Sequence, residues 1–189
     1  MKLLSKVYRF YLSNLGSSKK KCNYLRKCGC KIGKNVVING DLSTFGTEPY
    51  MIEIGDDCLF ASGVKIVTHD GGVRVLNNLH KFGGKKADKI GKIVIGNNVY
   101  IGMNSIVLPG IHIGNNVIIG AGTVVTKDIV DNSVVVGVPG KKISGLDSYY
   151  NKNKAKFKFT VNMNKKDKRK LYENTEYNEL WPKGDIDET

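Results

Sequence analysis

The sequence predicts a parallel β-helix, and three observations carry that expectation. Aliphatic residues recur at intervals of six from Ile95 through Ile101, Val107, Ile113, Ile119 and Val125. A second series, Val99, Ser105, Ile111, Val117, Thr123 and Ile129, runs four places behind and is apolar or small throughout. Glycine follows the first series at Gly96, Gly102, Gly114 and Gly120. Neither the helical period nor the strand period gives such a repeat. A coil of three short flat faces does. Each hexad supplies one face with its aliphatic pointing inward, and the glycine or asparagine is expected at a corner where φ turns positive. Three hexads close one turn.

The elements follow in order. Residues 1–30 form a basic N-terminal segment with an expected helix; residues 3–15 are apolar enough to bury a helix face and too short to span a bilayer. The β-helix occupies 31–143. Ile32, Val36, Ile38 and Leu42 fit the first coil, and a departure at Thr47, Glu48, Pro49 and Tyr50 precedes the next, where Ile54, Cys58, Phe60, Val64 and Ile66 resume it. No hexad is visible across 70–92, which reads as a loop leaving the solenoid at a corner, a common place for a binding surface. The repeats return at Ile93 and run to Asp128. The segment DNSVVVGVPGKKI closes the solenoid, with Pro139 and Gly140 as the stop. Residues 144–189 are a cap and a lysine- and asparagine-rich tail, with a helix expected near 144–155.

The formal net charge is +13, and it is segregated. Residues 1–31 hold nine Lys or Arg and no acid, a second basic run lies at 152–170, and the repeats are close to neutral. The core lacks the interleaved aromatic and basic residues of a single-strand platform, so no nucleic-acid partner is expected. An acidic small ligand, a phosphate-bearing cofactor or an anionic membrane face accounts for the charge better. Cys22, Cys28, Cys30 and Cys58 do not have the spacing of paired zinc knuckles and are expected as free thiols in a reducing compartment.

Two motifs are specific: IVTHDGG at 66–72, and IGNNVYIG…VLPGIHIGNNVIIGAGTVVTKDIVDNSVVVGVPGKKI at 95–143. On them the chain resembles the hexapeptide-repeat acyltransferases, which include the maltose and galactoside acetyltransferases and the sugar O-acetyltransferases of polysaccharide biosynthesis. The resemblance covers about residues 31–143. It implies a left-handed β-helix, a homotrimer with an active site at each cleft between subunits, and acetyl-CoA as acetyl donor. It makes His69 the catalytic base. Tyr100 falls where the maltose and galactoside enzymes typically have tryptophan beside the acyl end. Ala121, Thr126 and Lys127 fall where the family contacts coenzyme A. The long 70–92 insertion departs from the maltose-type pattern and argues against a simple free-sugar acceptor.

The residues themselves fit acyl transfer, which needs a base for the attacking hydroxyl, an oxyanion donor and a channel for a long cofactor. Histidine titrates near working pH, and His69 stands where the core meets a glycine-rich loop. Asp70 is the candidate to orient its imidazole, as a triad acid does. Adjacent strand residues point oppositely, so this requires a turn that Gly71 and Gly72 permit; otherwise an acid from elsewhere takes the role. A backbone N–H at Gly102 or Gly120 is the expected oxyanion donor. Gly120 and Ala121 leave a smooth groove for a pantetheine arm, and Lys127, Lys141 and Lys142 suit phosphates, Lys127 foremost. Asn77, Asn78 and His80 in the insertion are the candidate acceptor contacts. His112 is expected to face outward. The scattered histidines do not offer three converging ligands, so no metal is expected.

The function expected from this set is transfer of acetyl from acetyl-CoA to a sugar hydroxyl of a surface polysaccharide or its precursor. Two alternatives stand beside it. One is N-acetylation of a nucleotide-linked amino sugar, although 30 residues cannot form the added N-terminal domain those enzymes often carry. The other is a non-catalytic β-helical scaffold. The expected location is the cytoplasm, with the basic termini held at an anionic membrane face where lipid-linked glycans are made.

Overall fold

The computed structural model describes residues 10–13 and 15–182, so residues 1–9 and 14 of the expected N-terminal helix lie outside the described residues. The chain divides into two compact units, Met1–Leu146 and Asp147–Thr189.

The first unit is the β-helix. Its coils build three parallel faces. One contains β1 (Lys31–Ile32), β3 (Ile52–Ile54), β6 (Ile93–Ile95) and β9 (His112–Ile113). A second contains β2 (Val37–Ile38), β4 (Leu59–Phe60), β7 (Val99–Ile101), β10 (Val117–Ile119), β12 (Ser133–Val136) and β13 (Lys141–Gly145). The third contains β5 (Lys65–Ile66), β8 (Ile106–Val107) and β11 (Val124–Val125). Register partners in the regular coils stand three hexads apart: Val94 faces His112, Val99 faces Val117 and Ile106 faces Val124. Both hexad series are buried, including Ser105 and Thr123, whose hydroxyls bond to the Gly120 carbonyl at 2.9 and 2.7 Å. Each fully buried Ile or Val contributes about 1.5–3 kcal/mol.

Glycine and asparagine share the positive-φ corner, as expected: Asn35, Asn98, Asn104, Asn116 and Asn132, with Asp57, lie between 54° and 57°, and Gly63, Gly110 and Gly122 take the same place at 76°, 81° and 69°. The glycines that directly follow the first aliphatic series do something else. A Cβ on Gly55 would stand 2.7 Å from the Gly96 carbonyl carbon, and one on Gly96 would stand 2.7 Å from the Gly114 oxygen. These glycines form a column in which backbones of successive coils touch. Beside it runs a side-chain ladder in which Asp56 N–H donates to Asn97 Oδ1 (2.8 Å), Asn97 N–H to Asn115 Oδ1 (2.9 Å) and Asn115 N–H to Asp131 Oδ1 (2.7 Å). The N–H and side-chain amide of Asn115 hold the Asp131 carboxyl below its ordinary range.

Both ends of the stack are closed against further strand addition. At the start, α1 (Ser18–Lys27) lies over the first coil: Ser18 Oγ accepts from Ile38 N–H (2.8 Å) and donates to the Val36 carbonyl (3.1 Å). Arg26 donates to the carbonyls of Ile32 and Gly33 at 3.1 and 2.6 Å. At the far end β13 pairs antiparallel with β12. All four cysteines are free thiols, and burial pushes Cys30 up to about 12. The insertion is not all loop: it holds α2 (Val73–Asn78). The second unit contains α3 (Leu146–Asn153), close to the helix expected at 144–155, followed by α4 (Lys165–Glu173) and α5 (Tyr177–Leu180). Among the described residues no helix is long and apolar enough to cross a membrane.

Replacing Gly96 by Ala forces its Cβ into the next coil's backbone and is expected to cost about 1–3 kcal/mol. Gly71→Ala, whose Cβ meets nothing within 4 Å, is expected to stay within about 0.5 kcal/mol of the parent. Denaturant unfolding of both variants checks the contrast.

Candidate active site

His69 follows β5 at the corner where the chain passes from the third face to the first. The buried Thr68 anchors that corner. The insertion leaves and returns through a neck of backbone bonds: Asp70 N–H to Lys89 O at 2.8 Å, Gly91 N–H to Thr68 O at 2.9 Å, and an antiparallel bridge between His69 and Ile90. His69 is thereby held in a short paired segment, its side chain half exposed.

The carboxylate on its imidazole belongs to Glu48. Glu48 Oε2 lies 3.0 Å from His69 Nδ1 and accepts from Thr68 Oγ1 at 2.6 Å, while Oε1 accepts from Thr47 Oγ1 at 2.5 Å. The Thr47 and Thr68 hydroxyls, with His69 after them, draw the Glu48 carboxyl from its ordinary 4.5 down to about 2. An ionised acceptor at Nδ1 requires that nitrogen to carry the proton, which leaves Nε2 as the proton-accepting atom. This is the tautomer a general base needs.

The expectation that Asp70 orients His69 is therefore corrected. Asp70 Oδ2 is paired with Lys89 Nζ at 2.9 Å and its Oδ1 accepts from Gly72 N–H at 2.9 Å, forming the turn that closes the neck. Alternation along the strand explains the outcome, since His69 and Asp70 leave the backbone on opposite sides. Glu48 arrives from the previous coil, in the departure between Leu42 and Ile54. Its sequence signal was a Thr-Glu-Pro break in the hexads one coil ahead of a Thr-His pair.

A cavity of about 430 Å³ lies beside the imidazole, walled by Thr47, Glu48, His69, Asp70, Gly71, Val73, Arg74, Asn77, Asp88, Lys89 and Ile90. Asn77 lines it, but its amide is committed to Ala87, donating to the carbonyl at 2.9 Å and accepting from the N–H at 2.8 Å, so it braces the insertion. Asn78 and His80 are exposed and do not line the cavity; His80 sits in the turn after α2 at φ 53°. His112 is exposed on β9, as its place in the hexad predicted. Among the described residues no group of three His, Cys, Asp or Glu is placed to hold a metal ion.

The residues expected around the donor fall on three places. Tyr100 projects from the middle of the second face, in register with Leu59 and Ile118 and 40% exposed. Gly102, Gly120 and Ala121 lie at the corner after that face. The expectation of an oxyanion N–H from Gly102 or Gly120 is corrected: these donate to Ile119 O (2.8 Å) and Val135 O (2.9 Å), holding coil to coil. Thr126 and Lys127 share the His69 corner, since Ile66, Val107 and Val125 stack in register. Two strand spacings set Lys127 about 10 Å along the axis from Thr68. Lys127 and Lys142 line one small cavity of about 110 Å³ with Gly140 and Val135; Lys141 is exposed and lies outside its wall. Two ammonium groups at one cavity fit the phosphates of a nucleotide-bearing donor. Within one chain, however, Tyr100 and the His69 corner are on different faces and do not converge.

The profile of the bacterial transferase hexapeptide family (six repeats) matches residues 92–127. The chain is 47% identical over 146 residues to Protein CapG of Staphylococcus aureus, covering 77% of this chain and 83% of that protein. It is 38% identical over 122 residues to the galactoside O-acetyltransferase of Escherichia coli (strain K12), spanning 63% of this chain and 57% of that one. Among solved structures, a galactoside acetyltransferase in complex with coenzyme A superposes with a TM-score of 0.57 at 26% identity, covering 79% of this chain and 82% of the other. The β-helix is thus the left-handed one of these proteins.

A carboxyl held near 2 in the fold stabilises it above its unfolded value and loses that contribution as pH falls through the folded one. The stability advantage of wild type over Glu48→Gln is accordingly expected to be constant above about pH 5 and to vanish between about 4.5 and 2. Urea unfolding of both proteins across that range tests it.

Proposed function

We propose that this chain, which belongs to the hexapeptide-repeat acyltransferase family, transfers an acetyl group from acetyl-CoA to a sugar hydroxyl of a surface polysaccharide or its precursor. The observation that carries the reading is the Glu48–His69 pair at the wall of a cavity. His69 Nε2 takes the proton of the acceptor hydroxyl as its oxygen attacks the thioester carbonyl. The C–S bond then breaks, and the imidazolium returns the proton to the departing thiolate. Glu48 stabilises the imidazolium without itself becoming protonated. The similarity to a galactoside O-acetyltransferase supports a sugar acceptor and an oxygen nucleophile.

The donor lies along the His69 corner, its phosphates toward Lys127 and Lys142. The cleft is completed by a second copy in a homotrimer. Support comes from the second face, where Val37, Leu59, Tyr100 and Ile118 stand in register as an outward apolar stripe that ends at the buried Val134. That stripe suits burial against another subunit. Tyr100 then stands in a cleft it does not reach in its own chain. The basic segments 1–31 and 152–170 suit residence at an anionic membrane face in the cytoplasm.

Thiol release from acetyl-CoA, measured across free sugars, nucleotide sugars and glycan fragments, tests the reading. His69→Ala is expected to lower kcat by about 10²–10⁴-fold, with Glu48→Gln falling between it and wild type. Acceptor-dependent release that His69→Ala leaves intact would overturn the assignment of the base.

A further inference from the structure

The second unit presents an apolar pair that nothing in that unit covers. Phe159 is 99% exposed and Val161 is 89% exposed, the two most exposed large hydrophobic side chains among the described residues. They are not at a loose end. Thr160 between them is buried, and its hydroxyl bonds to Tyr172 Oη of α4 at 2.6 Å. Backbone bonds from Thr160 N–H to Lys158 O (2.9 Å) and from Met163 N–H to Thr160 O (3.2 Å) close the turn. Alternation about a buried residue thus drives both neighbours outward. Three other aromatic rings of this unit have company: Tyr150 stacks on Phe157 with centroids 5.9 Å apart, and Lys156 lies 4.9 Å over Trp181.

Lysines flank the pair in the sequence. Lys154 and Lys158 precede it, and Lys165 and Lys166 follow it in the first turn of α4, which also holds Asp167; all four are exposed and none enters an ion pair among the described residues, although Lys158 Nζ donates to the Glu179 carbonyl at 2.6 Å. An exposed apolar tip flanked by lysines is complementary to one environment above others, a bilayer whose headgroups are negative and whose interior takes an aromatic and a branched aliphatic alike. Nucleic acid is a poorer fit, because valine offers no stacking face. A second copy is a poorer fit as well. It carries the same +13, and carboxylates of its solenoid are engaged, Glu53 with Lys31 and Lys92, Asp70 with Lys89.

We propose that the turn at 157–163 is a membrane-contact element, in which Phe159 and Val161 insert into the interfacial region of an anionic bilayer while the flanking lysines engage its headgroups. The inference goes beyond the acetyl-transfer reading and does not depend on it, since vesicle binding is read without acetyl-CoA.

The test is co-sedimentation of the full chain with phosphatidylcholine vesicles and with vesicles containing phosphatidylglycerol. Binding to the anionic vesicles alone is expected, and Phe159→Ser combined with Val161→Ser is expected to weaken it about 10-fold or more, from the apolar surface no longer buried. Removing one flanking lysine is expected to weaken it by up to roughly fivefold, and added salt to weaken it further. In a Trp181→Phe background, Phe159→Trp is expected to shift its emission to the blue on anionic vesicles only. Equal binding to both vesicle types, or anionic binding that the double substitution leaves unchanged, overturns the proposal. So does a double variant whose sedimentation mass falls, which assigns the turn to contact between copies. Binding to single-stranded nucleic acid that needs Phe159, without vesicle binding, overturns it in favour of that partner.

Discussion

Every feature of the solenoid depends on how closely one coil lies on the next. The column through Gly33, Gly55, Gly96 and Gly114 leaves no room for a Cβ, with backbone atoms of the neighbouring coil within 2.8 Å of where each would be. Close approach brings backbone donors and acceptors into parallel ladders on all three faces. It also brings Asp56, Asn97, Asn115 and Asp131 within reach of each other's backbone, so the corner has its own ladder. Each coil contributes only short parallel strands of two to four residues, β13 being the longer antiparallel closing strand; such strands are too short to persist alone, and the stack makes them cooperative.

The site inherits its precision from this stacking. Glu48 and His69 stand 21 residues apart yet meet because each lies one coil from the other at the same corner. Thr68 contributes twice: its backbone closes the neck of the insertion and its hydroxyl fixes the carboxylate that orients the imidazole. An imidazole held on a rigid corner beside a cavity walled largely by the insertion separates positioning from the surface that a ligand would meet. Lys127 and Lys142 sit at the last coils, where the end of the stack lets their side chains share one small cavity.

The fold was legible because a period of six admits few structures. Ile95 through Val125 and Val99 through Ile129 are buried throughout, as the two series require. What the repeat did not tell was that its glycines have two tasks: Gly63, Gly110 and Gly122 take positive φ as the asparagines do, while Gly55, Gly96 and Gly114 are required by the coil-to-coil distance. Glu48 was illegible for a different reason. It lies in a break of the pattern, and no local spacing links it to a histidine in the next coil. Asp70 looked the better partner because sequence proximity was visible and side-chain direction was not. The Gly102 and Gly120 amides looked available because their ladder partners, Ile119 and Val135, are apparent only after the coils are in register.

The insertion begins and ends at one point of one coil. β5 pairs directly with β8, and β3 with β6, as though residues 70–92 were absent. Its neck is made of backbone bonds at Thr68, Asp70, Lys89 and Gly91, which constrain where the loop departs and nothing of what it contains. A lineage of such proteins is therefore free to exchange, lengthen or trim this segment as a cassette while Glu48, His69 and the coils beneath them stay where they are. What the loop presents and what the coils position then become separately heritable traits on one scaffold.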